Sequence, residues 1–220
     1  MKNIRNLLVI VTAGLFLITG CSSDDDVRGS GNLTSEVREL SSFSAIDNEG
    51  VIDLVILVGE AQSVEIIGDD NVLRYVETRV EDNELKIRLE DGRNYNNIDL
   101  EAIISLPSLR RLRNEGVSQV QIDNVNSGSS FEVENEGSGN IRISGETSRF
   151  ELENHGSGDI MAFGLSTQTS KVDLEGSGDV ELTCSDVLEV EIEGSGNVYY
   201  RGSPEIISEI QGSGAVIDAN

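Results

Sequence analysis

Apolar and polar positions alternate along the second half of the chain, and one phrase punctuates the alternation. Gly-Ser-Gly, then Asn or Asp, then a β-branched residue, occupies 137–141, 156–160, 176–180 and 194–198. It returns at 212–216 with Ala215 in the polar slot. The first glycines lie 19, 20, 18 and 18 residues apart. A fixed period near 20 predicts a solenoid of stacked coils. Counting back four from each first glycine, and from the earlier corner glycines Gly50 and Gly116, gives Ile46, Leu112, Val133, Leu152, Val172, Val190 and Ser208. Counting back two gives Asn48, Asn114, Asn135, Asn154, Leu174, Ile192 and Ile210. The positions between are mostly charged: Asp47, Arg113, Glu134, Glu153, Asp173, Glu191 and Glu209 in one column, and Glu49, Glu115, Glu136, His155, Glu175, Glu193 and Gln211 in the next. This period of two is that of a strand with one buried face.

After the glycines the alternation resumes with Ile141, Ile160, Val180, Val198 and Val216. Each coil therefore reads as two short strands bent at the glycine pairs Gly137 and Gly139, Gly156 and Gly158, Gly176 and Gly178, Gly194 and Gly196, Gly212 and Gly214. Glycine at such a bend supplies either positive φ or room for close backbone approach. A third, looser side is expected to close each coil through stretches such as 145–148 and 164–170. Strands this short cannot bury their faces alone, so stacked coils about 4.8 Å apart must pair each strand with its counterparts. The expected fold is an all-β parallel β-helix of coils about 18–21 residues long. Asn114, Asn135 and Asn154 fall on the inward parity and predict an asparagine ladder, because buried amides need partners.

The first half is larger and less regular, as an N-terminal cap would be. Strands are expected near 43–48, 51–58, 63–67, 78–80, 85–89 and 98–106, with a turn at Asp82 and Asn83 and a stop at Pro107. Asp69, Asp70 and Asn71 are placed to cap one helical turn over 72–75. Residues 1–20 read as a secretory signal: Lys2 and Arg5 precede an apolar run over 7–18, too short to span a membrane. Its ending, Ile18-Thr19-Gly20-Cys21, resembles a bacterial lipobox, which implies cleavage before Cys21 and lipidation of its thiol; an ordinary signal peptide with an incidental cysteine is the alternative. Asp24, Asp25 and Asp26 are either a solvated tether or, by resemblance, the acidic surface-export signal of Bacteroidetes lipoproteins. The division expected is 1–20 signal, 21–42 lipidated tether and linker, 43–109 irregular coils and 110–220 regular coils.

Ordered motifs carry a family resemblance over roughly 27–220. They are Gly29-Ser30-Gly31-Asn32; Phe43-Ser44-Ala45-Ile46 leading to Gly50-Val51-Ile52-Asp53-Leu54; Leu106-Pro107-Ser108-Leu109; and the Gly-Ser-Gly coils. The layout resembles the DUF2807 family, named "putative auto-transporter adhesin, head GIN domain". The resemblance implies a right-handed single-stranded β-helix on a Bacteroidetes lipoprotein of the outer membrane, and no established activity. The sequence departs from the pattern at Gly116-Val117-Ser118-Gln119, where one bend is expected to be shaped differently.

Charge and chemistry narrow the function classes. Formal net charge is −24, and loss of Lys2 and Arg5 takes it to −26; phosphate partners need the opposite sign, so nucleic acid is excluded as a partner. Arg110, Arg111 and Arg113 are expected as salt partners of neighbouring acids. A glycan-cleaving site needs a singular cluster of acids in a cleft. Here carboxylates form a repeated pattern and aromatics are scarce, with Tyr199 the outward member of its pair. With Cys21 lipidated, Cys184 is left alone, a small packed residue near a coil corner; with His155 in another coil it forms no nucleophile–base pair. Asp159 and Asp179 stack in adjacent coils and could share a cation, though the paired turn of the nine-residue calcium repeat is missing. The competing reading has Asn140, Asp159, Asp179 and Asn197 satisfying backbone groups at the bend. No cofactor motif is present. The expectation is a non-enzymatic, membrane-anchored binding, adhesion or scaffold module at the cell surface or facing the periplasm, with an unidentified envelope or extracellular ligand and an open oligomeric state. The alternatives are a structural or stress-response envelope protein and, third, a glycan-active enzyme.

Overall fold

The computed structural model describes residues 26–220. The expected signal segment, Cys21, Asp24 and Asp25 lie outside the described residues. Nine strands form the irregular half: β1 (Asp26–Arg28), β2 (Leu33–Val37), β3 (Ala45–Glu49), β4 (Asp53–Val58), β5 (Ser63–Asp69), β6 (Val76–Glu81), β7 (Glu84–Leu89), β8 (Asn94–Asn96) and β9 (Leu100–Leu106). Eight follow: β10 (Arg111–Asn114), β11 (Val120–Asn135), β12 (Ile141–Asn154), β13 (Ile160–Leu174), β14 (Val180–Ile192), β15 (Val198–Arg201), β16 (Glu205–Ile210) and β17 (Val216–Asp218).

The solenoid has two flat faces meeting at the glycine corner. On the first, β10 and the second halves of β11, β12, β13 and β14 stack in parallel and end on β16. On the second, the first halves of β11 to β14 stack with β15 and β17. Leu112, Val133, Leu152, Val172 and Val190 form one buried column, in register from coil to coil. Phe131 and Phe150 stack beside it with ring centroids 5.9 Å apart.

Coil order in space departs from coil order in sequence. The coil β3–β4 comes first in the chain but second in the stack. The coil β7–β9 lies outside it, with β7 on β3 and β9 on β4, while β10 and β11 continue from its other side. The excursion between them builds the cap: β6 runs antiparallel on β7, β5 on β9, and β2 on β5. The β6–β7 hairpin turns through Asp82 and Asn83 at φ 49° and 67°, the left-handed pair that a tight hairpin requires.

Three expectations need correction. Residues 21–42 are not a linker throughout: Val27 is buried in β1, which pairs with β8, and β2 pairs with β5. All five residues of β2 are exposed, so an edge strand left no buried face to read. The third side is not loose. Parallel pairing runs on through Asn126, Glu146 and Ser166, and through Ser127, Thr147 and Thr167, because hydroxyls can bond laterally inside the coil: Ser127 Oγ and Thr147 Oγ1 are 2.9 Å apart. The helical turn is a single 3-10 turn, Leu73–Tyr75, with no side-chain cap. Asp69 instead ends β5, buried, and its carboxylate accepts the backbone N–H groups of Gly31 (2.6 Å) and Asp99 (2.9 Å). Staking down the entering loop satisfies that charge better than an exposed cap would.

Candidate functional site

The glycine corner sets the register of everything on it. A Cβ on Gly156 would lie 1.8 Å from the carbonyl oxygen of Gly137, and one on Gly137 equally close to that of Gly116. Neither residue has a left-handed φ, so of the two roles open to these glycines, close backbone approach is the one used.

Just inside the corner, Asn48, Asn114, Asn135 and Asn154 are fully buried. Nδ2 of Asn48 donates to Oδ1 of Asn114 (3.0 Å), Asn114 to Asn135 (3.1 Å) and Asn135 to Asn154 (3.0 Å). Asn154 then donates to the Gly158 carbonyl (3.1 Å). That closes the series before Leu174, which packs against Gly196. Ser118, in the departing corner, was not singled out from sequence. It is buried and donates to Asn114 Oδ1 (2.7 Å) while receiving Asn48 Nδ2 (2.8 Å). Its only signal was that it replaces a glycine beside the asparagine column. Asn48 Oδ1 is buried without a partner, because its neighbour on the outer side is Ile87.

Beyond the corner runs a second polar column. Asp159 N–H donates to Asn140 Oδ1 (2.9 Å), Asp179 N–H to Asp159 Oδ1 (2.9 Å) and Asn197 N–H to Asp179 Oδ1 (2.8 Å). Asp159 and Asp179 thus stack, each holding the coil below by one oxygen. Among the described residues no group of three or more His, Cys, Asp or Glu is arranged to hold a metal ion.

The outward charges divide along the stack. Arg113 reaches Glu115 (2.7 Å), Glu136 (2.9 Å) and Glu134 (3.5 Å). Its hydrogen bond holds the Glu136 carboxyl below the usual range, while burial pushes Glu134 and Glu115 up. Arg111 faces Glu134 (3.6 Å). Asp47 is buried beside Lys86 (3.8 Å), and burial followed by the charge of Glu84 raises its pKa. Lower down, Glu153, Asp173, Glu191 and Glu209 stack in register. The single histidine sits among them, His155 Nδ1 2.9 Å from Glu175 and Nε2 3.8 Å from Glu153. Burial lowers its pKa, but the hydrogen bond to Glu175 and the charges of Glu175, Glu153 and Asp173 outweigh that, so it is raised.

The third side holds a groove of about 690 Å³ crossing five coils. Ligand pockets have volumes of this order. It forms where the paired strands slip register, at 127–130, 162–166 and 167–169, and where side chains are small. Thr147, Thr167 and Cys184 are buried in its floor; Asn126, Glu146, Ser166 and Gln168 stand exposed on its walls. The floor hydroxyls are spent internally: Thr147 donates to the Ser127 carbonyl (3.0 Å) and Thr167 to the Thr183 carbonyl (2.8 Å). The wall amides, hydroxyl and carboxylate face solvent. Cys184 Sγ lies 3.1 Å from the Val187 carbonyl oxygen, and His155 lines another depression, at the glycine corner. The groove was not legible in sequence, because the third side lacks the apolar alternation that marks the other two.

These features define a capped parallel β-solenoid with a lateral groove lined by small and polar residues. Residues 42–204 match the family model DUF2807, "putative auto-transporter adhesin, head GIN domain", and the chain belongs to that family. Solved structures share the fold. One from Bacteroides fragilis NCTC 9343, described as a "putative adhesin", is 21% identical with TM-score 0.71, over 87% of this chain and 99% of that one. Another so described, from Parabacteroides merdae ATCC 43184, is 21% identical with TM-score 0.54, over 89% and 100%. A third, from Parabacteroides distasonis ATCC 8503, is 25% identical with TM-score 0.50, over 89% and 100%. No curated protein matches the chain.

Proposed function

We propose that this chain is a non-enzymatic binding module of the cell envelope, anchored through lipid on Cys21, that holds an extended ligand along its third-side groove. The observation that carries this reading is the groove itself. It crosses five coils and presents exposed Asn126, Glu146, Ser166 and Gln168 above a floor whose hydroxyls are already satisfied. A polymer with a repeat near the strand spacing of about 4.8 Å meets an exposed polar side chain at each step, Asn126, Glu146 and Ser166 in register. The adhesin names of the family and of the Parabacteroides distasonis structure support a role in attachment. A glycan and protein array probed with the mature chain tests it. Binding to an extended polymer, lost on filling the groove with Ser166→Trp while the melting temperature holds, is the expected result; binding that survives that substitution overturns the groove as the site.

A structural role without a specific ligand is the second reading, favoured by the unbroken acidic column from Glu153 to Glu209. It predicts an array without hits. Location is tested separately by protease shaving of intact cells. Wild-type chain should be removed, and a variant with Asp24, Asp25 and Asp26 changed to alanine should be protected. Protection of the wild type leaves a periplasm-facing anchor instead.

A further inference from the structure

The terminal coil breaks the outward pattern of the coils before it. On the first face the column Glu132, Glu151, Lys171, Glu189 ends on Ile207. On the second the column Gln121, Arg142, Met161, Glu181, Tyr199 ends on Ile217. Ala215 fills the Asn/Asp slot and Gln211 follows a run of acids and one histidine. On the inward side Ile206, Ser208 and Ile210 lie in register with buried Leu188, Val190 and Ile192. Ile206, Ile207 and Ile210 are exposed, at 38%, 54% and 44%. Solenoids normally end in coils with a polar outer face, whereas here two outward columns end on isoleucine, Ile207 lying between Glu205 and Glu209. The opposite end behaves differently. On β2, Thr34 and Glu36 take the inward register, opposite Gly68 and Ile66, and Glu36 is held by Arg38 at 2.9 Å. Inward charge on an edge strand blocks further pairing.

We infer that β16 is a dimerisation edge, pairing antiparallel with β16 of a second copy of this chain about a two-fold axis at Ser208. Opposed residues in an antiparallel pair share a face of the sheet, so inward positions must meet inward positions. The symmetric register that does this sets Ile206 against Ile210 of the second copy and Ser208 against its own equivalent, where two hydroxyls can bond. Outside, Glu209 faces Ile207 and Glu205 faces Gln211, so no carboxylate opposes another despite the acidity of both chains. The open backbone groups of the edge are satisfied in the same step. Head-to-tail stacking is disfavoured, because it carries Glu36 over the apolar end of the second face.

The test is cysteine cross-linking with mass measurement, in the full chain carrying Cys21→Ser. Ser208→Cys should oxidise to a two-chain species, as should the Glu205→Cys, Gln211→Cys double variant. Glu205→Cys alone should not, since its equivalents lie far along the strands. Ile207→Asp, an outward change set opposite Glu209, should leave the circular dichroism spectrum in place and shift the mass in sedimentation from two chains to one. A wild-type chain that stays single at all concentrations overturns the inference. So do equal cross-linking by Glu205→Cys alone, a dimer indifferent to Ile207→Asp, or open-ended polymers, which signal head-to-tail stacking.

Discussion

The upper and lower coils use one frame in two ways. In the coils of β3, β10, β11 and β12 the position beside the corner is asparagine, and the outward column alternates in sign from Lys86 of β7 through Asp47 and Arg113 to Glu134 before turning acidic at Glu153. In the coils below, the corner position is Leu174, Ile192 and Ile210, and the outward column is acidic throughout. Buried amides are tolerated because each asparagine has a neighbour above or below to bond. The aliphatic coils need no such partner, and so can run to an open end. Stacked acids about 5 Å apart repel by roughly 0.8 kcal/mol per pair in water before screening. Burial and ladder hydrogen bonds in the same coils must outweigh that.

The comparison breaks most sharply at the corner that both halves share. Gly156→Ala drives a methyl into the carbonyl of Gly137 and should cost more than about 4 kcal/mol. Gly128→Ala, with open space around it, should change little. Chemical denaturation of both variants measures this, and equal effects would mean the coils can part at the corner. Next in size is the shared core. Leu152→Ala, between Val133 and Val172, should cost about 2–5 kcal/mol, while outward Glu153→Ala stays within about 0.5 kcal/mol.

The third substitution separates the halves. Asn135→Leu strands the amides of Asn114 and Asn154 and should cost about 1–3 kcal/mol in denaturant. Asn114, Asn135 and Asn154 together changed to leucine should cost less than the sum of the singles, because the unpaired groups leave with their partners. Strict additivity would mean the amides are independent.

The smallest effect concerns charge where the two halves meet, between His155 and Glu175. The pKa of His155 is raised in the folded chain. Its contribution to stability is therefore full below the unfolded value of about 6.5 and lost as pH rises through the higher folded value. Thermal melts from pH 5.5 to 8.5 should show a decline above neutrality that is weaker in His155→Gln and partly offset by salt. A decline that persists unchanged in His155→Gln would place its origin elsewhere.

Much of this frame was legible in the residues. The Gly-Ser-Gly period and the two-residue alternation specify the faces, the inward columns and the corner, because burial there is one-sided and repeated. What was not legible lacked that contrast. β2 caps an edge with nothing buried, Ser118 works through one hydroxyl, and the groove is built of Ser, Thr and Asn that read alike inside or out. The coil order was hidden as well, since β3 and β7 carry the same alternation and only pairing tells which lies outside.

Native-state hydrogen exchange, resolved coil by coil, tests most directly the claim that one frame carries a braced half and an open half. Amides at 112–114, 133–135 and 152–154 should exchange slowest, through opening close to global unfolding. Protection should fall stepwise through 188–192 to 205–210, and rise again at 205–210 as concentration favours pairing. Uniform protection from β10 to β17, or faster exchange in the asparagine coils than below them, would contradict the account.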